Sequence, residues 1–155
     1  VTEPRLRAWG DELRAVHKRL RDALEAARQS VVEGADTGVV SRDLQLFCLG
    51  FCTALSGHHT SEDRALFPIL LERRPDLAPV IDRLKQDHNM IEYLIGDLER
   101  SLERGEDARA RLQRLDGIGA IMENHFRYEE SRILDVLDTV DDAEPDGTTL
   151  FGPLA

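Results

Sequence analysis

Apolar residues recur along this chain at steps of three and four, and turn-forming residues interrupt them at three places. From about Glu3 to Val32 the apolar positions are Leu6, Trp9, Leu13, Val16, Leu20, Leu24, Ala27 and Val31. That spacing predicts an amphipathic helix, with Pro4 suited to its first turn and Gly34-Ala-Asp-Thr-Gly38 as its break. Ser41 is a candidate N-cap for a second helix. Its stripe is Leu44, Phe47/Cys48, Phe51, Leu55, His58, Glu62, Leu66 and Ile69. Pro68 is expected to kink or close that helix, and Arg73-Arg74-Pro75-Asp76 separates it from the next. A third helix is predicted from Leu77, capped by Asp76, with Pro79 tolerable so early. Its stripe is Leu77, Ile81, Leu84, His88, Ile91, Ile95, Leu98 and Leu102, ended by Gly105. A fourth runs from about Asp107 to Leu137, with Leu112, Leu115, Ile118, Met122, His125, Glu129, Ile133 and Val136 on its stripe.

Four amphipathic helices of similar length with short breaks predict an all-α fold, an antiparallel up-down four-helix bundle over residues 1–138. No strand pattern competes. A helical pair completed by dimerisation is the alternative, and the oligomeric state stays open. Residues 139–155 are rich in Asp, Gly and Pro. They are expected to form an irregular tail, with Leu150, Phe151 and Leu154 available to dock.

Composition narrows the function. The 155 residues are enough for one domain with a real core. With 41% hydrophobic and 32% charged residues, the mix is that of a globular protein. A formal charge of −10 argues against a nucleic-acid partner and against docking on anionic lipid. There is no long uncharged apolar run and no apolar leader in Val1-Thr2-Glu3-Pro4-Arg5. The two cysteines, Cys48 and Cys52, are four apart on one predicted helix, where a disulfide is geometrically awkward. Both read as small buried residues. The expected location is therefore the cytoplasm.

The chemistry lies where polar residues replace apolar ones on the stripes. His58-x-x-x-Glu62 and His125-x-x-x-Glu129 each place an imidazole and a carboxylate one helical turn apart. His17 and His88 interrupt the first and third stripes in the same way. Counting residues outward from the midpoint of each break puts the facing histidines within about one turn, roughly 5 Å, of one level. By phase, His58 and Glu62 face inward while His59 and Asp63 do not, so His59 is expected at the surface. Glu129 is in phase and Glu130 is off by about 100°. Glu92, one turn beyond His88, sits beside the stripe. The inventory is His17, His58, Glu62, His88, His125 and Glu129, with Glu92 as a further candidate.

The chain also halves into two similar sets, His17 with His58/Glu62 and His88 with His125/Glu129. This suggests two metals, each holding two imidazoles, with Glu62 and Glu129 bridging. A metal-free hydrogen-bond network is the alternative, at a desolvation cost of several kcal/mol. Mixed imidazole and carboxylate donors without thiolate suit iron first, then manganese or zinc. Structural zinc would use four ligands, often with cysteine.

These motifs resemble the hemerythrin-like family of HHE cation-binding proteins. His58-His-Thr-Ser-Glu62-Asp-Arg-Ala-Leu-Phe-Pro68 is similar to its His-His-x-x-Glu-Glu-x-x-Leu-Phe-Pro signature, with Asp63 in place of the second glutamate. Asp87-His88 resembles its acidic-His element, and His125-x-x-x-Glu129-Glu130 its last motif. His17 resembles its single first-helix histidine. The likeness spans about residues 5 to 137. It implies a four-helix bundle around an oxo- or hydroxo-bridged pair of non-haem irons.

Oxygen-carrying hemerythrins resemble this pattern but have five histidine ligands, the fifth one turn after the third-helix histidine. Glu92 stands at that position here. That departure points away from reversible O2 carriage and toward peroxide or nitric oxide chemistry. Tyr93 and Tyr128 flank candidate ligands and are candidates for phenolate ligation or hydrogen bonding, or for ordinary packing. Glu130 is a candidate for a further metal ligand or for support of a ligand from behind. The leading expectation is a di-iron protein that decomposes small oxidants, hydrogen peroxide foremost, in the manner of a catalase. Competing expectations are binding or sensing of O2, nitric oxide or iron without turnover, iron storage, and a purely structural bundle. No catalytic residue is assigned beyond the metal ligands.

Overall fold

The computed structural model describes residues 9–35, 42–139 and 147–155. Among these residues every regular element is helical. In chain order they are α1 (Trp9–Ala35), α2 (Arg42–Ser61), a π-helical turn (Glu62–Leu66), α3 (Phe67–Arg73), a 3-10 turn (Pro75–Leu77), α4 (Ala78–Arg104), α5 (Ala108–Leu137) and α6 (Gly147–Phe151). Ser41, the expected cap of the second helix, lies outside the described residues.

The apolar stripes become the core. Leu13, Val16 and Leu20 of α1, Phe51 and Leu55 of α2, Ile81, Leu84, Ile91 and Ile95 of α4, and Leu115, Ile118, Met122 and Ile133 of α5 are all buried together. Helix α1 packs on α2 and α5, and α4 packs on α2 and α5. Cross-helix contacts fix the directions. Arg21 bonds Glu123 bidentately at 2.8 and 3.0 Å, and Arg28 bonds Asp116 at 2.7 Å. Rising numbers on α1 thus meet falling numbers on α5, so the two are antiparallel. The Asp87–His125 and Asp97–Arg114 pairs show the same for α4 and α5. Ser56 bonds Glu92 while Glu62 faces His88, so α2 and its continuation also run against α4. Such half-exposed pairs contribute at most about 1 kcal/mol each. Their value is in fixing register.

Helix α5 starts as expected, with the Asp107 carboxylate accepting from the Ala110 N–H at 2.9 Å. Helix α4 does not: Asp76 is held by Arg74 instead, and Leu77 at the N-cap makes no side-chain bond. Pro79, which has no N–H and so leaves none without an acceptor, sits in the first turn of α4. Two further expectations are revised. Of the two outcomes expected at Pro68, kinking or closing the helix, closing does not occur; the π turn ahead of it widens the helix, and α3 continues through it. Pro68 has no N–H to offer the carbonyl one α-turn back, and the π register, in which the Phe67 N–H bonds the Glu62 carbonyl, removes that demand. The tail is not wholly irregular either. Residues 147–151 form a helical turn, with Leu150 and Phe151 buried in the core and Leu154 half-buried. Apolar burial supplies the order that local propensity lacks.

No helix of the described residues is long and apolar enough to cross a membrane. Cys48 and Cys52 are buried free thiols, and burial pushes Cys52 up to about 12, which leaves it unreactive.

Gly105 ends α4 in the left-handed region at φ 66°, its N–H bonding back to Leu102. A Cβ there meets nothing within 4 Å, so Gly105→Ala carries only the backbone penalty. We expect a loss of about 1–2 kcal/mol in urea unfolding, with far-UV circular dichroism unchanged.

Candidate metal centre

The polar interruptions of the stripes meet in the middle of the core. His17 comes from α1, His58 and His59 from α2, Glu62 from the π turn, His88 from α4, and His125 and Glu129 from α5. All seven are buried. Their donor atoms form two groups, His17/His58/Glu62/Glu129 and His59/Glu62/His88/His125, each with ligand atoms within 4.8 Å of one another. Glu62 is common to both. Its Oε1 lies 3.3 Å from Nε2 of both His58 and His88. Glu129 reaches across as well, with Oε1 3.0 Å from His17 Nε2 and Oε2 3.8 Å from His125 Nε2.

His59 corrects the phase argument. It is 3% exposed, stacked on His88 at 3.9 Å, and a full member of the second group. Two imidazoles per metal therefore becomes two in one group and three in the other. The reason is angular. At about 100° per residue, Glu62 lies about 40° to one side of His58 and about 60° to the other side of His59. A carboxylate shared between two groups needs a histidine on each flank. The adjacent pair His58-His59 followed by Glu62 was the signal in the sequence, and a single narrow stripe hid it.

Glu92 and Tyr93 are not part of the cluster. Glu92 is exposed and accepts from the Ser56 hydroxyl at 2.9 Å, while Tyr93 is 66% exposed. On α4 the buried positions Leu84, Ile91 and Ile95 fall on the far side of His88 from Glu92, so the stripe turns away from it. Tyr128 is half-buried outside both groups, under the Arg83 guanidinium at 3.9 Å. Glu130 braces His17 from behind, with His17 Nδ1 3.2 Å from its carboxylate.

That support is repeated around the cage. His88 Nδ1 is 2.8 Å from Asp63, His125 Nδ1 is 3.0 Å from Asp87, and His58 Nδ1–H donates to the Phe151 carbonyl at 2.7 Å. Consecutive residues Glu62 and Asp63 thus serve the inner group and its outer support, as Glu129 and Glu130 do on α5. With Nδ1 carrying the proton, each of these rings turns its Nε2 lone pair inward. These four rings then line the inner face with Nε2 acceptors. His88 Nε2 and His125 Nε2 face each other at 3.1 Å. Nε2 of His17 and His58, both nitrogens of His59, and all four oxygens of Glu62 and Glu129 are buried without a hydrogen bond among the described residues. The His17–Glu129 approach at 3.0 Å is close but not aligned as one. Each unpaired buried group costs about 1–3 kcal/mol. Lone pairs converging from several directions are what a cation relieves, so the residues present fit a metal pair.

The charges agree. Burial, and then the neighbouring Glu129 carboxylate, raise Glu62 well above the usual carboxylate range. Burial pushes Glu129 the same way, but His17 and His125 outweigh it and hold Glu129 low. Burial also pushes His58 down to about 3 and His59 well below its ordinary value, which keeps both rings neutral. His17 is the exception: burial lowers it, yet Glu129 and Glu130 together raise it.

A family model, the hemerythrin HHE cation binding domain, matches residues 10–137. The chain belongs to this family. No curated protein and no solved structure gives a significant match. The HHE match covers all seven buried groups, and its Asp63 and Asp87 as well. The cation-binding character of an HHE domain, typically for iron, agrees with the two donor groups.

Two variants test the cage. His59→Leu removes two unpaired buried nitrogens and should stabilise the metal-free protein by about 1–3 kcal/mol, while lowering metal uptake; denaturant melts with and without metal check both. Asp87→Ala removes the support of His125 and should weaken metal binding about 10–100-fold, read by competition with a chelator.

Proposed function

We propose that the four long helical runs form an antiparallel bundle around a non-haem di-iron site that acts on small oxidants, hydrogen peroxide foremost. The observation that carries this is the inward convergence of ligand atoms from five histidines and two glutamates, those of His17, His58, His59, Glu62 and Glu129 without a hydrogen bond among the described residues, with Glu62 shared between two groups. His17, His58, Glu62 and Glu129 would hold one ion; His59, Glu62, His88 and His125 would hold the other. Glu129, within 3.8 Å of His125, would span the pair. When bound, a redox-active ion pair supplies the electron transfers by which two hydrogen peroxide molecules become two waters and one O2.

The chain's own residues set the conditions for that chemistry. Glu130, Asp63, Asp87 and the Phe151 carbonyl hold four rings in the tautomer that binds metal. Phe126 stacks on His17 at 3.7 Å, and Phe67 lies parallel to His88. These rings wall that side of the cage with apolar surface. Disproportionation suits such a closed site because peroxide is both the donor and the acceptor of electrons. No redox partner has to dock.

A second reading has its own support. The fifth imidazole that Glu92 was expected to replace is supplied by His59. The departure from oxygen-carrying hemerythrins thus loses its force, and reversible binding of O2 or nitric oxide without turnover stands close behind.

Purified protein loaded with iron(II) under nitrogen should take up two irons per chain. Added peroxide should then be lost with evolution of half a mole of O2 per mole consumed, and Glu62→Ala should abolish this. A stable spectral adduct with O2 or nitric oxide, and peroxide loss no faster than free iron gives, would move the conclusion to the second reading. Wild-type protein that takes up no metal, with Glu62→Ala indistinguishable from it, would leave only a structural cluster.

A further inference from the structure

Four histidines of the cage are braced through Nδ1, and three of the braces are carboxylates on the helical runs that carry the cage itself. The fourth is different. His58 is braced by a backbone carbonyl, that of Phe151, in a segment that follows α5 and folds back over α2. We infer that residues 147–155 are a strap that positions His58, and through it sets how firmly the His17/His58 half of the cage holds its ion. This rests on the two-ion reading above.

The contact is built at backbone level. A carbonyl only accepts, so His58 must carry its proton on Nδ1 and present Nε2 to the cage. Gly152 sits directly against the backbone of His58: its φ is +94°, and a Cβ there would lie 2.8 Å from both Cα and N of His58. Only glycine fits both the left-handed backbone and the close approach. Gly57 is matched in the same way, since a Cβ on it would meet Pro153 Cδ at 3.0 Å. The strap is held from both ends. Phe151 is buried against Trp9, ring centroids 5.7 Å apart, and the Arg19 guanidinium donates to the Leu154 carbonyl at 2.5 Å. His59, His88 and His125 make no hydrogen bond to this segment among the described residues. The segment also packs against the π turn that carries Glu62, but its hydrogen bond to the cage among the described residues is to His58, so loosening it acts first on the His17/His58 half. Phe151 and Gly152 act as positioning residues, through His58.

Gly152→Ala tests this by forcing the strap away from His58. Arg19→Ala, on the outer side of α1, loosens the strap without a steric clash and serves if Gly152→Ala does not fold. In metal-free protein, nitrogen-15 chemical shifts of the imidazoles should show His58 as a single Nδ1–H tautomer in the wild type and as a mixture in the variants, with His88 and His125 unchanged. In iron(II)-loaded protein, release to a ferrous chelator should be biphasic in the wild type. One phase should quicken about 10–100-fold in the variants, and well beyond the other. An unchanged His58 tautomer with unchanged release overturns the inference. So does equal quickening of both phases with a lowered melting temperature, which would make the segment merely structural. If the wild type does not bind two irons, the dinuclear reading fails, and the metal-free tautomer still decides the strap.

Discussion

Everything in this molecule answers to one constraint: five imidazoles and two carboxylates occupy the centre of an apolar core. Left to itself such a centre would be expelled to water or would disrupt the packing around it. It persists because each ring has an outer partner or a stacked neighbour, and because the surrounding layers of Leu, Ile and Phe are closed above and below it. The carboxylates Asp63, Asp87 and Glu130 sit on the rim, where water still stabilises their charge, and reach inward to the rings. The arrangement separates two tasks. The rim carries charge at little cost, and the centre carries unshared electron pairs at high cost.

Glu62 and Glu129 show how finely that centre is divided. They are the same residue type, both wholly buried, and they lie in one cluster. Their proton affinities nevertheless part in opposite directions, upward for Glu62 and downward for Glu129. Two buried carboxylates in contact cannot both ionise readily. The one nearer His17 and His125 keeps the charge. The other is pushed toward its protonated form by burial and by its neighbour's charge, a bias that a cation seated beside it would oppose.

The helices and most of the cage were legible in the sequence because both follow from periodicity. An apolar stripe with a histidine in phase fixed His17, His58, His88 and His125 correctly on inward faces. The same stripe argument failed for His59, since it asks which single direction faces the core and not how wide the inner face must be to serve two groups. It also left Glu92 open, because one turn beyond His88 is a small angular step and the burial of α4 slants the other way. The π turn at Glu62–Leu66 was invisible: nothing but Pro68 hints at it, and a proline there reads equally well as a helix end. The ordered part of the tail escaped for another reason. Its order comes from Trp9, Gly57 and His58, partners remote in sequence, and not from any local pattern.

The origin of the seven groups has a wider consequence. They are drawn from α1, α2 with its π turn, α4 and α5, so each long run contributes at least one. A cation pair seated among them would be a cross-link between segments far apart along the chain, closing large loops as a disulfide does. No single helix could then detach while the pair stayed in place, and sub-global opening of the kind that lets amide hydrogens exchange would be suppressed throughout at once. In such a chain, occupancy of the centre and cooperativity of the whole fold become one quantity seen from two sides.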